Sequence, residues 1–221
     1  DHYRSIVRGE PAGALDAWAT LAGLAVVTSR IRLGTMVSPV TFRRVPVLAK
    51  MVTTVDHISG GRVELGLGAG WFESEHEAYG FDFPPLRERM DELDRQLAEI
   101  VRHWDDAPEL QPKPLQRPHP PIIVGGTAKP RTVRAAVAHA DEYNTVWPTV
   151  DEARERRRAL DDAARAAGRE PLRFSMMVSC VVGRDEAEVR DRLGAYQQLT
   201  GNDTPTLSGT VDQVAARLRA Y

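Results

Sequence analysis

The first two residues are an acid and an imidazole, a pair that could move protons. Asp1 and His2 are adjacent, and His is the side chain whose ordinary pKa lies near neutral pH. At the end of a strand such a His can serve as a general acid or base, whereas many Asp-His pairs simply lie on the surface. Residues 73–77 hold three Glu and one His, but without the two His four residues apart of a helical zinc site, so we expect no metal site.

A first glycine-rich segment follows a predicted strand at Gly66, Gly68 and Gly70. It resembles the start of a dinucleotide-binding fingerprint, but Trp71 stands where a third glycine is required, and we expect no helix to begin there. Such glycines let the backbone pass close to a flat ligand, or they merely permit a tight turn. The spacing leaves both interpretations open.

A second glycine-rich segment comprises Gly125, Gly126 and Thr127, between a predicted strand and a helix predicted to start near Pro130. Free N–H groups at a helix N-terminus carry a partial positive charge and suit a phosphate group. An ordinary strand-to-helix loop that needs small residues explains the same pattern. A phosphate site and a plain loop therefore both remain open here.

Hydrophobic patterning places these segments among alternating strands and helices. The predicted strands span 31–37, 62–67, 122–124, 143–147 and 172–182. The predicted helices span 14–29, 46–59, 86–104, 130–140, 150–167, 185–199 and 211–221. This alternation predicts an α/β protein with a parallel sheet covered by helices. An open doubly wound sheet needs only these five strands, whereas a (β/α)8 barrel needs eight strands and about 250 residues, so the pattern leaves both open.

Composition excludes several classes of function. The 221 residues include 29 Lys+Arg and 31 Asp+Glu, and a net charge of −2 gives no field that attracts nucleic acid or an anionic membrane. No apolar run reaches the ~18 residues of a membrane span, and no signal peptide is visible. The single cysteine, Cys180, excludes an internal disulfide and a thiolate zinc site. We expect a cytoplasmic protein with a small-molecule substrate and neither nucleic-acid nor membrane partners.

Several segments together resemble the luciferase-like monooxygenase superfamily, and within it the branch of F420-dependent oxidoreductases. The segments that carry the resemblance are residues 1–3, 33–43, 56–62, 66–71, 75–76, 79–80 and 118–126. The resemblance implies a (β/α)8 TIM barrel, with residues 1–221 forming a single luciferase-like domain. The five predicted strands would then be the third to the seventh, and strands 1, 2 and 8 would lie outside this sequence. Family members carry an extra segment after the long helix, so we expect a missing loop near residues 104–106.

The resemblance also implies roles for individual residues. His2 would be catalytic, as a proton donor or as a group that stabilises the reduced cofactor, while Asp1 would bind the cofactor or anchor a loop. The turn at residues 36–38 would lie against the tricyclic ring, and in the family it often contains a non-proline cis peptide bond. The cofactor contacts implied beside Asp1 are Met36, Val37, Ser38, Gly68, Ser74, Gly125, Gly126 and Thr127.

The function implied is that of an F420-dependent oxidoreductase, which moves a hydride between C5 of the deazaflavin and a small organic substrate. An FMN-dependent monooxygenase and a cofactor-binding protein without turnover remain alternatives. The family's sugar-phosphate dehydrogenase has an acid where this chain has Trp71, and an indole cannot accept a proton, so we do not expect that substrate. The resemblance also implies a homodimer.

Overall fold

The computed structural model describes residues 1–6, 13–105, 108–202 and 204–221. In these ranges strands and helices alternate along the chain. The strands are β1 (Leu33–Gly34), β2 (Ser38–Pro39), β3 (Val63–Gly68), β4 (Ile122–Gly126), β5 (Glu142–Val146), β6 (Arg173–Met177), β7 (Cys180–Gly183) and β8 (Leu207–Thr210). The helices are α1 (Ala17–Val27), α2 (Val45–Ser59), α3 (Glu73–Tyr79), α4 (Leu86–Asp105), α5 (Pro130–His139), α6 (Val150–Ala166), α7 (Glu186–Thr200) and α8 (Val211–Leu218).

The main sheet is parallel and has the order β1-β3-β4-β5-β6, with β2 also paired to β3. Each connection between its longer strands passes through at least one helix, as a parallel sheet requires. The predicted α/β class and the predicted parallel sheet are confirmed. Because all strands run in one direction, their carboxyl ends gather at one edge of the sheet.

The sheet forms because the apolar side chains of β3 and β4 are buried on both faces, and helices such as α4 bury an apolar stripe against it. Leu65 and Ile122 are fully buried and are paired across β3 and β4. The apolar positions of α4, including Leu97 and Ile100, are also fully buried in the same core. The apolar stripe of α4 is therefore used for packing within the chain.

Two predicted strands are broken in the structure. Of the strand predicted over 31–37 only the two residues of β1 form a strand, and β2 begins just beyond the predicted end. The peptide bond Met36–Val37 between them is cis, a feature that the family resemblance implied for this turn. The strand predicted over 172–182 is divided into β6 and β7. The second half leaves the main sheet because β7 pairs in parallel with β8, a four-residue strand too short to give a periodic signal.

Two further predictions near the glycines were wrong. A helix does begin after the first glycine-rich segment, since α3 starts at Glu73. Its first turn carries Glu73 and Glu75, which favour a helix N-terminus, and it ends at Gly80 in the left-handed conformation with φ +71°. Strand β4 extends to Gly126, so Gly125 and Gly126 are paired with β5 and do not form a loop.

Two other expectations concern the chain as a whole. No helix among the described residues combines the length and the apolar character that crossing a membrane requires. Helix α4 runs to Asp105, one residue beyond its predicted end. The loop predicted to be missing near residues 104–106 falls partly on residues 106–107, which lie outside the described residues.

Candidate cofactor site at the carboxyl ends of the strands

The residues predicted to bind a cofactor follow the ends of different strands. The Met36–Val37 peptide follows β1, Ser74 lies in α3 after β3, and Thr127 follows β4. In barrels of parallel strands, active sites occupy this carboxyl edge because the loops from neighbouring strands meet there. The parallel sheet thus brings segments separated by tens of residues to one edge.

His2 is held by a carboxylate on α3. Its Nδ1 lies 2.9 Å from Oε2 of Glu75, whose side chain is 1% exposed. The imidazole is 25% exposed, and its ring meets the edges of Trp71 and Phe72 at centroid distances of 5.7 and 6.0 Å. Within the described ranges, Nε2 of His2 has no hydrogen-bond partner. That nitrogen is free to contact a ligand.

Asp1 points into a different environment from His2. Its carboxylate is 1% exposed, and its Oδ2 accepts hydrogen bonds from the Ser38 hydroxyl at 2.8 Å and from the Arg43 guanidinium. The Ser38 hydroxyl also accepts a hydrogen bond from Trp18 Nε1 at 3.2 Å. Asp1 and Ser38 were both predicted as cofactor contacts. Their side chains instead form hydrogen bonds with each other and with the protein interior.

Arg43 ties this segment to the start of α1. Its guanidinium pairs with Asp16 as well as with Asp1, and it donates to the Tyr3 hydroxyl at 3.0 Å. Burial raises the pKa of Tyr3, an effect that Arg43 partly offsets. Burial also acts to raise the pKa of Asp16, but hydrogen bonds from the Ala19 N–H and from Arg43 outweigh it, so that pKa lies below its usual value. The network anchors residues 1–3 against α1.

The Val37 side chain rests on glycines from two strands. A Cβ at Gly68 would lie 2.6 Å from Val37 Cγ2, and one at Gly66 would lie 2.0 Å from the Thr35 carbonyl oxygen. At Gly125 a Cβ would lie 3.3 Å from Val37 Cγ1. Gly66 and Gly68 are required because the turn after β1 lies directly on β3, and Gly125 lets the same turn approach β4 closely. Gly68 and Gly125 thus serve the site by making room for the turn.

The second glycine-rich segment leads into the N-terminus of α5. Tyr143 lies beneath it, and its hydroxyl accepts a hydrogen bond from the Ala128 N–H at 2.7 Å. A Cβ at Gly126 would approach that hydroxyl to 2.8 Å. Lys129 occupies the N-cap position but makes no side-chain capping hydrogen bond, and Thr127 and Lys129 are both exposed. The first N–H groups of α5 are therefore not satisfied by a capping side chain.

Large apolar side chains are exposed around the carboxyl edge. Met36, Trp71, Trp147 and Met177 are between 39% and 66% exposed. Trp147 follows β5 with φ +43°, and its N–H donates to the Met177 carbonyl oxygen at 2.9 Å. Sequence reasoning missed Trp147 and Met177, since a positive φ at a non-glycine residue leaves no mark in the sequence. Flat and flexible apolar groups of this kind suit an aromatic ring.

The acidic segment at residues 73–77 has structural uses. Glu75 binds residues 2–4, and His76, which is 1% exposed, bridges Thr41 Oγ1 and the Phe72 carbonyl oxygen at 2.6 and 2.8 Å. Ser74, predicted as a cofactor contact, offers its carbonyl oxygen to the Arg4 guanidinium at 3.2 Å. In the parts of the chain that the structure describes, no cluster of three His, Cys, Asp or Glu could hold a metal ion.

Comparisons with known proteins identify the family. The sequence pattern of the luciferase-like monooxygenase family matches residues 2–204. An uncharacterized protein of Mycobacterium tuberculosis is 33% identical over 94% of this chain and 73% of its own length. An FMNH2-dependent dimethylsulfone monooxygenase of Pseudomonas putida is 36% identical over 37% of this chain and 26% of its own length.

A solved structure confirms the architecture. The F420-dependent tetrahydromethanopterin reductase of Methanopyrus kandleri superposes with a TM-score of 0.75, covering 100% of this chain and 80% of that chain at 16% identity. The half-barrel of β1 to β6 therefore belongs to the luciferase-like TIM-barrel fold, and the open doubly wound sheet is excluded. The chain belongs to the luciferase-like monooxygenase family.

Proposed function

We propose that the protein is an F420-dependent oxidoreductase that transfers a hydride between C5 of the deazaflavin and a small organic substrate. The observation that carries the proposal is the free Nε2 of His2 at the carboxyl edge, with the opposite ring nitrogen held by Glu75. When bound, a reduced deazaflavin supplies a hydride. Reduction of an organic substrate also needs a proton, and a positioned imidazole can deliver one.

The residues at this edge fit such a cofactor. The first turn of α5 carries N–H groups without a side-chain cap, and with the exposed Thr127 and Lys129 it offers the donors and the positive charge that a phosphate needs. The exposed Trp71, Trp147 and Met36 offer apolar contact to a flat ring. Asp1, bound to Ser38 and Arg43, keeps the segment that bears His2 in place.

An FMN-dependent monooxygenase is the second candidate. The local identity of 36% to an FMNH2-dependent monooxygenase favours it. Both cofactors carry a phosphate and a tricyclic ring, so the features above suit either of them. The two proposals differ in whether reduced cofactor meets a substrate directly or first meets oxygen.

Binding and turnover with each cofactor distinguish these functions. The purified protein is titrated with F420 and with FMN while the fluorescence of the cofactor is followed, and oxidation of each reduced cofactor is then measured with and without oxygen. We expect F420 to bind at least tenfold more tightly than FMN, and F420H2 to be oxidised by an organic acceptor without oxygen.

Each other outcome has a definite meaning. Tighter binding of FMN, with oxygen-dependent turnover, would replace the proposal with the monooxygenase. Binding of either cofactor with no substrate-dependent oxidation across a panel of ketones, quinones and unsaturated carbonyl compounds would favour a binding protein without turnover.

A further inference from the structure

Glu75 is a buried carboxylate on α3. Its side chain is 1% exposed, and a carboxylate removed from water is costly unless it is fully hydrogen-bonded. Three donors satisfy it here. Oε1 accepts from the backbone N–H groups of Tyr3 and Arg4 at 2.6 and 2.8 Å, and Oε2 faces Nδ1 of His2 at 2.9 Å. One carboxylate thus holds both the backbone and the ring of the same segment.

The chemistry of the pair fixes where the proton of the imidazole resides. An ionised carboxylate can only accept hydrogen bonds, so the ring nitrogen that faces Glu75 must carry a hydrogen. In the neutral imidazole this leaves Nε2 with a lone pair. The contacts of the ring with Trp71 and Phe72 hold the plane of His2, so the lone pair has a defined direction. Without Glu75 the two tautomers would interconvert freely.

We propose that Glu75 is a positioning residue that selects the Nδ1–H tautomer of His2 and thereby makes Nε2 the atom that accepts and delivers the proton. The tautomer can be measured whatever the cofactor proves to be, while its effect on turnover rests on the proposed function. Arg4 reinforces the arrangement, because its guanidinium donates to the Ser74 carbonyl oxygen on the residue just before Glu75.

We predict that the substitution Glu75→Gln changes the tautomer of His2. Because two backbone N–H groups face Oε1, the amide oxygen must occupy that position, which turns the amide NH2 toward Nδ1 of His2. Nδ1 must then accept, so the hydrogen moves to Nε2. Glu77→Gln is the matched control, since Glu77 lies on the same helix and is exposed.

The readout is the ¹⁵N chemical shifts of the His2 ring in cofactor-free protein labelled at histidine, at a pH of about 8.5 where imidazoles are neutral. The His2→Asn spectrum assigns the signals. We expect protonated Nδ1 in the unsubstituted protein and in Glu77→Gln, and protonated Nε2 in Glu75→Gln. An unsubstituted protein with protonated Nε2, or the same tautomer in Glu75→Gln, would overturn the proposal. If Glu75→Gln fails to fold, the spectrum of the unsubstituted protein decides.

Turnover separates this inference from the proposed function. With the cofactor that supports activity, Glu75→Gln is expected to lower kcat by about tenfold or more with little change in KM. Delivery of a proton from Nε2 requires hydrogen on both ring nitrogens of His2, and an amide NH2 facing Nδ1 opposes that form without removing binding contacts. If the unsubstituted protein turned over with neither cofactor, the proposed function would be wrong, but the tautomer result would not be affected. If Glu75→Gln had the opposite tautomer but normal turnover, only the role of Glu75 in turnover would be contradicted.

Discussion

In the proposed function, the imidazole of His2 transfers the proton through one atom, Nε2. Its position depends on residues far along the chain, because Glu75 holds Nδ1 and Trp71 and Phe72 contact the ring. Asp1, its neighbour, is turned into the protein and bound by Arg43 and Ser38. Adjacent residues of an extended segment point to opposite sides, which explains how one of the pair anchors while the other faces the edge.

At the scale of single residues, we predict the effect of His2→Asn. Asparagine keeps approximate size and hydrogen bonding but cannot carry a proton near neutral pH. A positioned acid or base contributes about 10²- to 10⁴-fold, so turnover should fall at least about a hundredfold while cofactor affinity stays within a few-fold. Steady-state kinetics and fluorescence titration measure the two quantities. Turnover within threefold together with a collapse of binding would make His2 a binding residue.

Short elements and their ends decide how the site is held together. Helix α3, seven residues long, brings Glu75 to the segment at residues 2–4, and the N-terminus of α1 brings Asp16 to Arg43. The first turn of α5 follows directly on β4. These junctions yield two predictions at the scale of elements.

The first concerns Asp16, which caps α1 by accepting from the Ala19 N–H at 2.8 Å and pairs with Arg43. Its pKa is below the usual 3.8, so its ionised form contributes stability above that pH, and the contribution is lost as the pH falls further. We expect Asp16→Ala to lower the free energy of unfolding by about 1–2 kcal/mol at pH 7.

Urea unfolding at pH 7 and pH 3 measures this effect, and the difference from the unsubstituted protein should narrow at pH 3. Asp151→Ala is the control, since the Asp151 side chain is 96% exposed, and it should change the free energy of unfolding by less than about 0.5 kcal/mol. Equal stability of Asp16→Ala and the unsubstituted protein at pH 7 would contradict the prediction.

The second prediction concerns the junction of β4 and α5. A side chain at Gly126 would meet the Tyr143 hydroxyl and Thr132, and would push that hydroxyl away from the Ala128 N–H. We expect Gly126→Val to weaken cofactor binding tenfold or more, about 1.4 kcal/mol. Gly194→Val in α7 is the control, since nothing lies within 4 Å of a Cβ there. Unchanged affinity in Gly126→Val would mean that the segment has only a structural role.

The whole molecule divides into a main sheet and a smaller unit. Strands β7 and β8 form their own two-stranded sheet, on which α7 and α8 pack. Hydrogen bonds connect this unit to the rest of the chain. The Tyr221 hydroxyl donates to the Pro148 carbonyl oxygen at 2.8 Å, and Arg154 donates to the Ala220 carbonyl oxygen at 2.9 Å. A two-stranded sheet is marginally stable by itself.

We therefore predict that the smaller unit opens more easily than the main sheet. Native-state hydrogen exchange should give lower opening free energies for the amides of β7 and β8 than for those of β3 to β5, whose inner residues Leu65 and Ile122 are fully buried. Equal protection in both sheets would mean that the molecule opens as a single cooperative body.

We also expect a homodimer, an expectation that follows from the family resemblance. The apolar stripe on α4 is buried in the core of the chain, so it does not provide the interface. Sedimentation at micromolar concentration should give a mass of twice 24.5 kDa. A particle of 24.5 kDa would contradict the dimer.

The sequence by itself determined the order of most elements and the limits of several helices. Helices α2, α4, α5 and α6 lie within one residue of their predicted bounds, because apolar periodicity and Gly or Pro at the ends are local signals. The combination of segments also identified the family, and with it the barrel that periodicity had left open. By resemblance it implied a cis peptide bond in the turn at residues 36–38, and the structure has it between Met36 and Val37.

The tertiary structure alone decided which distant residues meet. Glu75 contacts His2 across 73 positions in the chain. Gly66 and Gly68 lie in direct contact with the turn after β1. No local pattern encodes such pairs, since a buried carboxylate looks like any surface Glu until the fold removes it from water and supplies its donors. The helix that carries Glu75 was missed for a related reason: it is seven residues long, too short for a periodic signal, and its N-cap residue, Phe72, makes no side-chain capping hydrogen bond.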